Sequence, residues 1–226
     1  MKRYIKVFSI TLLMIFSFYY TEKVALYVQN NTPLKKEIIT YKESNIIDSV
    51  NATIDGNYIT PGINGLEVNV DKSYNNMKSY NVFSENNLIY DQVKPDISIV
   101  NFKNKIINKG NSLRNAVSII LSSSNNSNIN YLKSINATYD DINKTNYCIR
   151  IKHDDCNKTN KIIVEPTIIL NSQNFLKEVS NISKGYILYV DDSLSLNYLK
   201  VLIEHIKYNN LNIYKLNDHL TEKYQL

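Results

Sequence analysis

The sequence has no tryptophan, five glycines, four prolines, three histidines and two cysteines in 226 residues. So little glycine and proline excludes a collagen-like chain or a long flexible linker. Two cysteines exclude a disulfide-dense scaffold, and the eight-residue step from Cys148 to Cys156 matches no zinc-binding spacing. The chain contains no G-x-S-x-G, Walker loop, G-x-G-x-x-G, H-E-x-x-H or C-x-x-C. The usual sequence signs of a nucleophile elbow, a phosphate cradle, a dinucleotide site, a zinc protease and a redox pair are therefore missing. There is also no basic run. The net charge of +5 comes from lysines scattered among acids, which excludes a phosphate-tracking nucleic-acid face and supports only weak attraction to an anionic envelope surface.

What is present is apolar residues at 43% of the chain, enough to build the core of one ordinary domain or two small ones. Eighteen tyrosines accompany abundant Asn, Lys and Ile, a bias that fits an AT-rich coding genome. The N-terminus carries the clearest pattern. Lys2, Arg3 and Lys6 precede the uncharged run Val7–Tyr20, VFSITLLMIFSFYY. A basic start followed by an apolar core is the pattern of an export signal or signal anchor. No small-x-small cleavage site follows, because Phe18, Tyr19 and Tyr20 are bulky, and no cysteine is placed for lipid attachment. An uncleaved anchor is expected over residues 1–22, with the N-terminus inside and the body outside the cytoplasm.

Residues 23–44 read as a polar stalk, in which Thr32-Pro33 forbids one continuous helix. From 45 to 111 the spacing predicts a small α+β module. Ser49–Ile54 and Tyr58–Thr60 flank an Asp55-Gly56-Asn57 turn, as in a hairpin. Leu66–Val70 alternates, Asp71–Tyr80 suits a helix capped by Asp71, and Ile97–Val100 suits a short strand. From 112 to 226 the texture is α/β. Val117–Leu121 and Gly185–Val190 are apolar enough for strands buried on both faces. Ile162–Leu170 is a strand interrupted by Glu165-Pro166, and Ser122–Asn130 a polar loop. Asn174–Ser180 is a short helix. Asp192–Tyr208 is a helix capped by Asp192 or Ser193, with a stripe of Leu199, Leu202, Ile203 and Ile206, and Leu211–Leu216 is a last strand.

The titratable residues offer little chemistry. His153 lies in His153-Asp154-Asp155-Cys156, whose consecutive side chains cannot readily converge on one ion; it reads as a solvated turn. His205 and His219 read as boundary residues beside apolar stripes. Asp192 has a capping job, and Asp140-Asp141 lies in a polar stretch. Cys148 and Cys156 either close a small loop outside the cytoplasm or remain two buried thiols.

The segment 185–222, GYILYVDDSLSLNYLKVLIEHIKYNNLNIYKLNDHLTE, resembles the C-terminal end of the polysaccharide deacetylase (NodB homology) family, and VSIILSSS at 117–124 takes the place of that family's first strand. The stretches DGNYITPGINGLEVNVDKSYNNMKSY (55–80), PDISI (95–99) and KGN (109–111) resemble an N-terminal module on membrane-anchored members from low-GC bacteria. The resemblance implies an Asp base, a metal-binding Asp, an H-x-x-x-H metal pair and a late histidine acid. The corresponding positions hold Ser122, Ser123 and Asp191, and the stretch Asn136–Asp140 holds no histidine. A serine hydroxyl does not titrate near neutrality and cannot replace the base.

The expectation is thus an α/β protein with an N-terminal membrane helix, a small α+β module at 45–111 and a partial or open deacetylase-like (β/α) barrel at 112–226, abbreviated between Leu121 and Cys148. It should be catalytically inactive, with no metal and no cofactor. Its partners would be the membrane and a cell-wall glycan or an envelope protein. The competing expectation is a non-enzymatic extracytoplasmic protein-interaction module with no glycan role.

Overall fold

The computed structural model describes residues 2–122, 124, 126–152, 156 and 159–224. The first helix, α1 (Lys2–Asn30), contains a 19-residue segment, Val7–Ala25, long and apolar enough to cross a membrane, and none of it is buried in the protein. Thr11 and Thr21 donate their hydroxyls to carbonyls one turn back, Val7 and Ser17, at 3.0 and 2.7 Å. This settles both side chains without water, as an apolar surround demands. Residues 23–44, expected as a stalk, are helical. The break falls at Thr32, which caps α2 (Pro33–Ser44) with proline in its first turn.

By its contacts the chain divides into two compact units, residues 1–47 with 66–92, and 48–65 with 93–226. In the first, α2 is followed by β3 (Gly65–Val68), α3 (Val70–Met77) and β4 (Tyr90–Val93), with β3 and β4 paired. Leu34, Ile38, Val68, Met77 and Leu88 form its core. The cap of α3 is Asn69, whose side chain accepts the Lys72 N–H at 2.8 Å. Asp71, expected as the cap, sits in the first turn, where it meets the Lys35 ammonium at 2.7 Å.

The second unit contains β1 (Thr53–Asp55), β2 (Tyr58–Thr60), β5 (Ile106–Ile107), β6 (Ala116–Leu121), α4 (Asn126–Ser134), β7 (Asp140–Asp141) and β8 (Cys148–Ile149). It continues through β9 (Ile163–Val164), β10 (Ile168–Leu170), α5 (Phe175–Glu178), β11 (Ile187–Val190), α6 (Leu196–Tyr208), β12 (Asn212–Ile213) and α7 (Leu216–Leu220). One sheet runs β1-β2-β5-β9-β8 and the other β10-β11-β6-β12, with β7 also on β6. Among the described residues, the named strands of these two sheets pair in parallel except in the β1–β2 hairpin, where Gly56 takes φ +55°. β11 lies along one edge of β6. β12 and β7 share the other, opposite Ala116–Val117 and Ile120–Leu121.

The unit is α/β, and among the described residues neither sheet returns to its first strand. β6 and β11 are buried along their whole length, as continuous apolar strands require. Their alternate residues serve two cores. Val117, Ile119, Leu121, Leu188 and Val190 pack with the α6 stripe of Leu199, Leu202, Ile203 and Ile206. Ile120, Ile187 and Tyr189 face an inner core completed by Ile59, Ile107, Ile149 and Val164 of the other sheet and by Leu216 and Leu220 of α7. Because β1, β2 and β5 belong to this sheet, the contact boundary cuts through the 45–111 segment.

Three further local expectations are corrected. Residues 97–100 form a bend and turn, not a strand: the Ile97 and Ile99 N–H groups go to the side chains of Asn51 and Glu222, while the Ser98 and Ile99 carbonyls accept local N–H groups from Asn101 and Phe102. Ser122–Asn130 is not wholly loop, since α4 begins at Asn126. The cap of α6 is Ser195, not Asp192 or Ser193. Cys148 and Cys156 form a disulfide, with Cα atoms 5.9 Å apart.

Candidate functional site

In a sheet of parallel strands the reactive end is the carboxyl edge, where turns rather than ladders hold the backbone and side chains are free to converge. Here that edge gathers the residues after β6, β10 and β11. Ser122 leaves β6 and its hydroxyl lies 2.6 Å from the Ser124 hydroxyl, which donates to Asp192 Oδ2 at 2.7 Å. Asp191 leaves β11 with its own N–H on the Leu170 carbonyl. Its carboxylate accepts the Ser193 N–H at 2.9 Å. Hydrogen bonds from Ser193 hold it below the usual carboxylate range, so it stays ionised. Asn171, after β10, closes a turn in the same way by accepting the N–H groups of Gln173 and Asn174. Beneath this rim Tyr189 is buried, and burial pushes its phenol up.

The arrangement brings Ser122 and Asp191 to adjacent strand ends but gives neither a base. A serine acts as a nucleophile when a neighbouring group takes its proton. Ser122 meets a second hydroxyl, and the carboxylate at the end of that short chain is Asp192. Ser123 and His153 lie outside the described residues. Among the described residues no group of three His, Cys, Asp or Glu is placed to hold a metal ion. The described residues of this rim, Ser122, Ser124, Asp191 and Asp192, include no histidine for the divalent ion that the resemblance implies.

The other two histidines divide. His205 sits on α6 and shares its Nε2 with the Asn209 amide at 3.0 Å. His219 is not a boundary residue but is fully buried. Ser118 Oγ donates to the Tyr214 carbonyl at 3.0 Å and lies 2.8 Å from His219 Nδ1. With its one proton spent there, the hydroxyl accepts from Nδ1–H. Nε2, with no partner among the described residues, faces Gly110, where a Cβ would stand 2.3 Å away. Burial lowers this imidazole to about 4. The sequence carried a signal for this: Leu216, His219 and Leu220 share one face of α7.

A polar hub escaped sequence reading altogether. Glu222 Oε1 accepts the N–H groups of Gly62 at 3.3 Å and Ile99 at 3.1 Å, while Oε2 accepts the Ser98 hydroxyl. Asn111 donates to the Gly62 carbonyl at 2.7 Å, and Arg114 donates to the carbonyls of Thr221 and Lys223. Gly62, Ser98 and Asn111 come from three of the stretches that carried the resemblance; two of these stretches meet on the Glu222 carboxylate and the third joins through the Gly62 carbonyl.

Comparison with solved structures decides the architecture. A CE4 family pseudoenzyme from Bacillus anthracis superposes with a TM-score of 0.50 over 85% of this chain and 96% of its own, at 18% identity. A mutant of that pseudoenzyme with restored enzymatic activity gives 0.51 over 85% and 99%. The chain carries the CE4, or polysaccharide deacetylase, fold. No family model matches the sequence. The protein YlxY of Bacillus subtilis strain 168 is 34% identical over 90 residues, which cover 39% of this chain and only 28% of that relative.

Proposed function

We propose that the protein is a deacetylase-like pseudoenzyme, held in the membrane by α1 with its body outside the cytoplasm, that acts at the cell envelope without turning over acetylated glycan. The observation that carries this reading is the Ser122–Ser124–Asp192 chain. It stands at the carboxyl ends of the central strands, where the deacetylase chemistry would need an acid base and metal ligands. The Cys148–Cys156 disulfide supports the location, since such bonds persist in oxidising compartments. Wall glycan is the partner this reading favours.

The test is acetate release from acetylated chitooligosaccharide or peptidoglycan by the full-length protein in detergent with added zinc or cobalt. No release above a heat-denatured control is expected. Ser122→Asp with Ser123→Asp should not revive it, because no histidine pair accompanies them. A mutant of the Bacillus anthracis pseudoenzyme has restored enzymatic activity; in this reading the acid base and the histidine ligands are all replaced, and losing a whole catalytic set costs several orders of magnitude. Turnover abolished by a chelator would overturn the reading.

A further inference from the structure

Lysines that are scattered in the sequence are gathered by the fold. Three turns meet the C-terminal segment around Glu222, at the amino ends of β6 and β11. The turn at 98–102 reaches it through the Ser98 hydroxyl and the Ile99 N–H. The turn at 109–115 joins through Arg114, which donates to the carbonyls of Thr221 and Lys223. The turn before β11 joins where the Gly110 N–H donates to the Gly185 carbonyl at 2.7 Å. The exposed charges of residues 96–103, 109–115, 181–186 and 221–224 are Lys103, Lys109, Lys184 and Lys223, against the acid Asp96. Arg114 and Glu222 are buried and offset one another. Asp218, the next acid, faces Arg114 and, on the β7 edge of β6, Asp140 and Tyr147. Among the described residues none of the four lysines makes an ion pair. Lys109 Nζ instead stands 5.8 Å from the Tyr186 ring centroid. The surface is left with a net positive charge.

Two aliphatic side chains stand among these ammonium groups. Val100 is 61% exposed and Leu113 58%. Each crowns a turn that a side chain fastens: the Val100 N–H donates to the Ser98 hydroxyl at 3.2 Å, and the Leu113 N–H to the Asn111 side-chain oxygen at 3.0 Å. Unpaired lysines around exposed aliphatics match the boundary of a bilayer, where ammonium groups meet headgroup phosphates and apolar side chains leave water. A soluble polyanion would engage the lysines and leave Val100 and Leu113 wet. We infer that this face docks on an anionic phospholipid bilayer, with Val100 and Leu113 entering the headgroup layer beside Lys109, Lys184 and Lys223. The face lies at the opposite ends of β6 and β11 from Ser122 and Asp191. An α1 anchor would keep a bilayer close to every copy, so a weak contact is enough. The choice of a bilayer rests on reading α1 as that anchor, whereas the positive charge stands without it.

The test uses the full-length protein reconstituted in vesicles of phosphatidylcholine, alone or mixed with phosphatidylglycerol. Both native cysteines are tied in one disulfide, so Asn101→Cys, beside Val100 and exposed, takes a single fluorophore. Spin-labelled lipid should quench it in the mixed vesicles and much less in phosphatidylcholine alone. A fluorophore on Gln173→Cys, exposed at the carboxyl edge, should stay unquenched in both. Docking should weaken about fivefold for each lysine removed, so Lys109→Gln, Lys184→Gln and Lys223→Gln together should abolish the quenching. Added salt should do the same as screening shortens the field. Lys177→Gln with Lys207→Gln, exposed lysines elsewhere in the same unit, should change nothing. Equal quenching in phosphatidylcholine alone, equal quenching at residue 173, or undiminished quenching in the triple lysine variant with circular dichroism unaltered overturns the inference. Flotation with phosphatidylcholine vesicles reports the anchor separately. A chain that does not float sinks the membrane reading, and one that floats with residue 101 unquenched in mixed vesicles sinks the docking alone.

Discussion

Glu222 is the most demanding test of how the second unit is held together. Replacing it by alanine strips an acceptor from the Gly62 N–H, the Ile99 N–H and the Ser98 hydroxyl at once. Ser98 is 6% exposed and Glu222 8%, so water does not readily take over. An orphaned buried donor costs about 1–3 kcal/mol. The Gly62 bond is long and contributes least, which puts the whole change at about 4 kcal/mol. At about 2–4 °C per kcal/mol for a unit of this size, the unfolding midpoint should fall by about 10 °C. Glu222→Gln keeps one oxygen for the two N–H groups and turns an amide toward Ser98, so it should cost about 1 kcal/mol. Thermal unfolding of the full-length protein in detergent, followed by near-ultraviolet circular dichroism, separates these cases. If alanine and glutamine lower the midpoint equally, or neither lowers it, Glu222 is not the hub described.

The remaining predictions concern other parts of the molecule. His219 is held near 4 against an ordinary 6.5; the unfolded chain therefore binds the extra proton first, and about 3 kcal/mol of stability should be lost as pH falls from 6.5 to 4. His219→Gln should flatten that stability profile between pH 7 and 4.5. Gly110→Ala would drive a methyl into the His219 ring and should give little folded protein, whereas Gly56→Ala, with nothing within 4 Å but φ +55°, should cost about 1 kcal/mol. Cys148→Ser with Cys156→Ser should cost about 2–3 kcal/mol for so short a loop, and denaturing alkylation of the unreduced protein should label no thiol. Fractionation should find the full chain in the membrane pellet after carbonate washing, with the body open to external protease; recovery in the cytosol would refute the anchor.

What the sequence made legible follows its apolar patterning. β6, β11 and the stripe of α6 were readable because continuous burial and a 3.6-residue period leave strong signals. The β1–β2 hairpin was readable because Asp55-Gly56-Asn57 has the backbone freedom the turn needs. β7 was invisible because both its residues are aspartates. Its place in the sheet is set by parallel pairing with β6, which no local pattern records. Residues 97–100 look like a strand, but their backbone answers to Asn51 and Glu222 instead. The caps moved by two or three residues because Asn69 and Ser195, rather than the nearby aspartates, have the extended backbone a cap requires. The ends of β6 and β11, which Ser122 and Asp191 follow, were legible because both strands are continuous apolar runs. The Glu222 hub was beyond reach, since its partners lie 123 to 160 residues away in the chain.

The position of β12 and Glu222 bears on the order in which the protein can be made. β12 occupies the edge of β6 beside Ala116 and Val117, and Glu222 supplies the acceptor for Gly62 and Ile99. Gly62 and Ile99 thus wait for a residue synthesised 160 and 123 positions later. Until residues 212–222 emerge, Leu216, His219 and Leu220 are missing from the inner core, and the apolar inner face of β6 has no cover on that side. A chain that folds as it leaves the ribosome or crosses a membrane would spend that interval with a sticky, half-built sheet. Folding yield should therefore depend on holdases at the point of emergence, and a ribosome stalled before residue 212 should release a protease-sensitive chain.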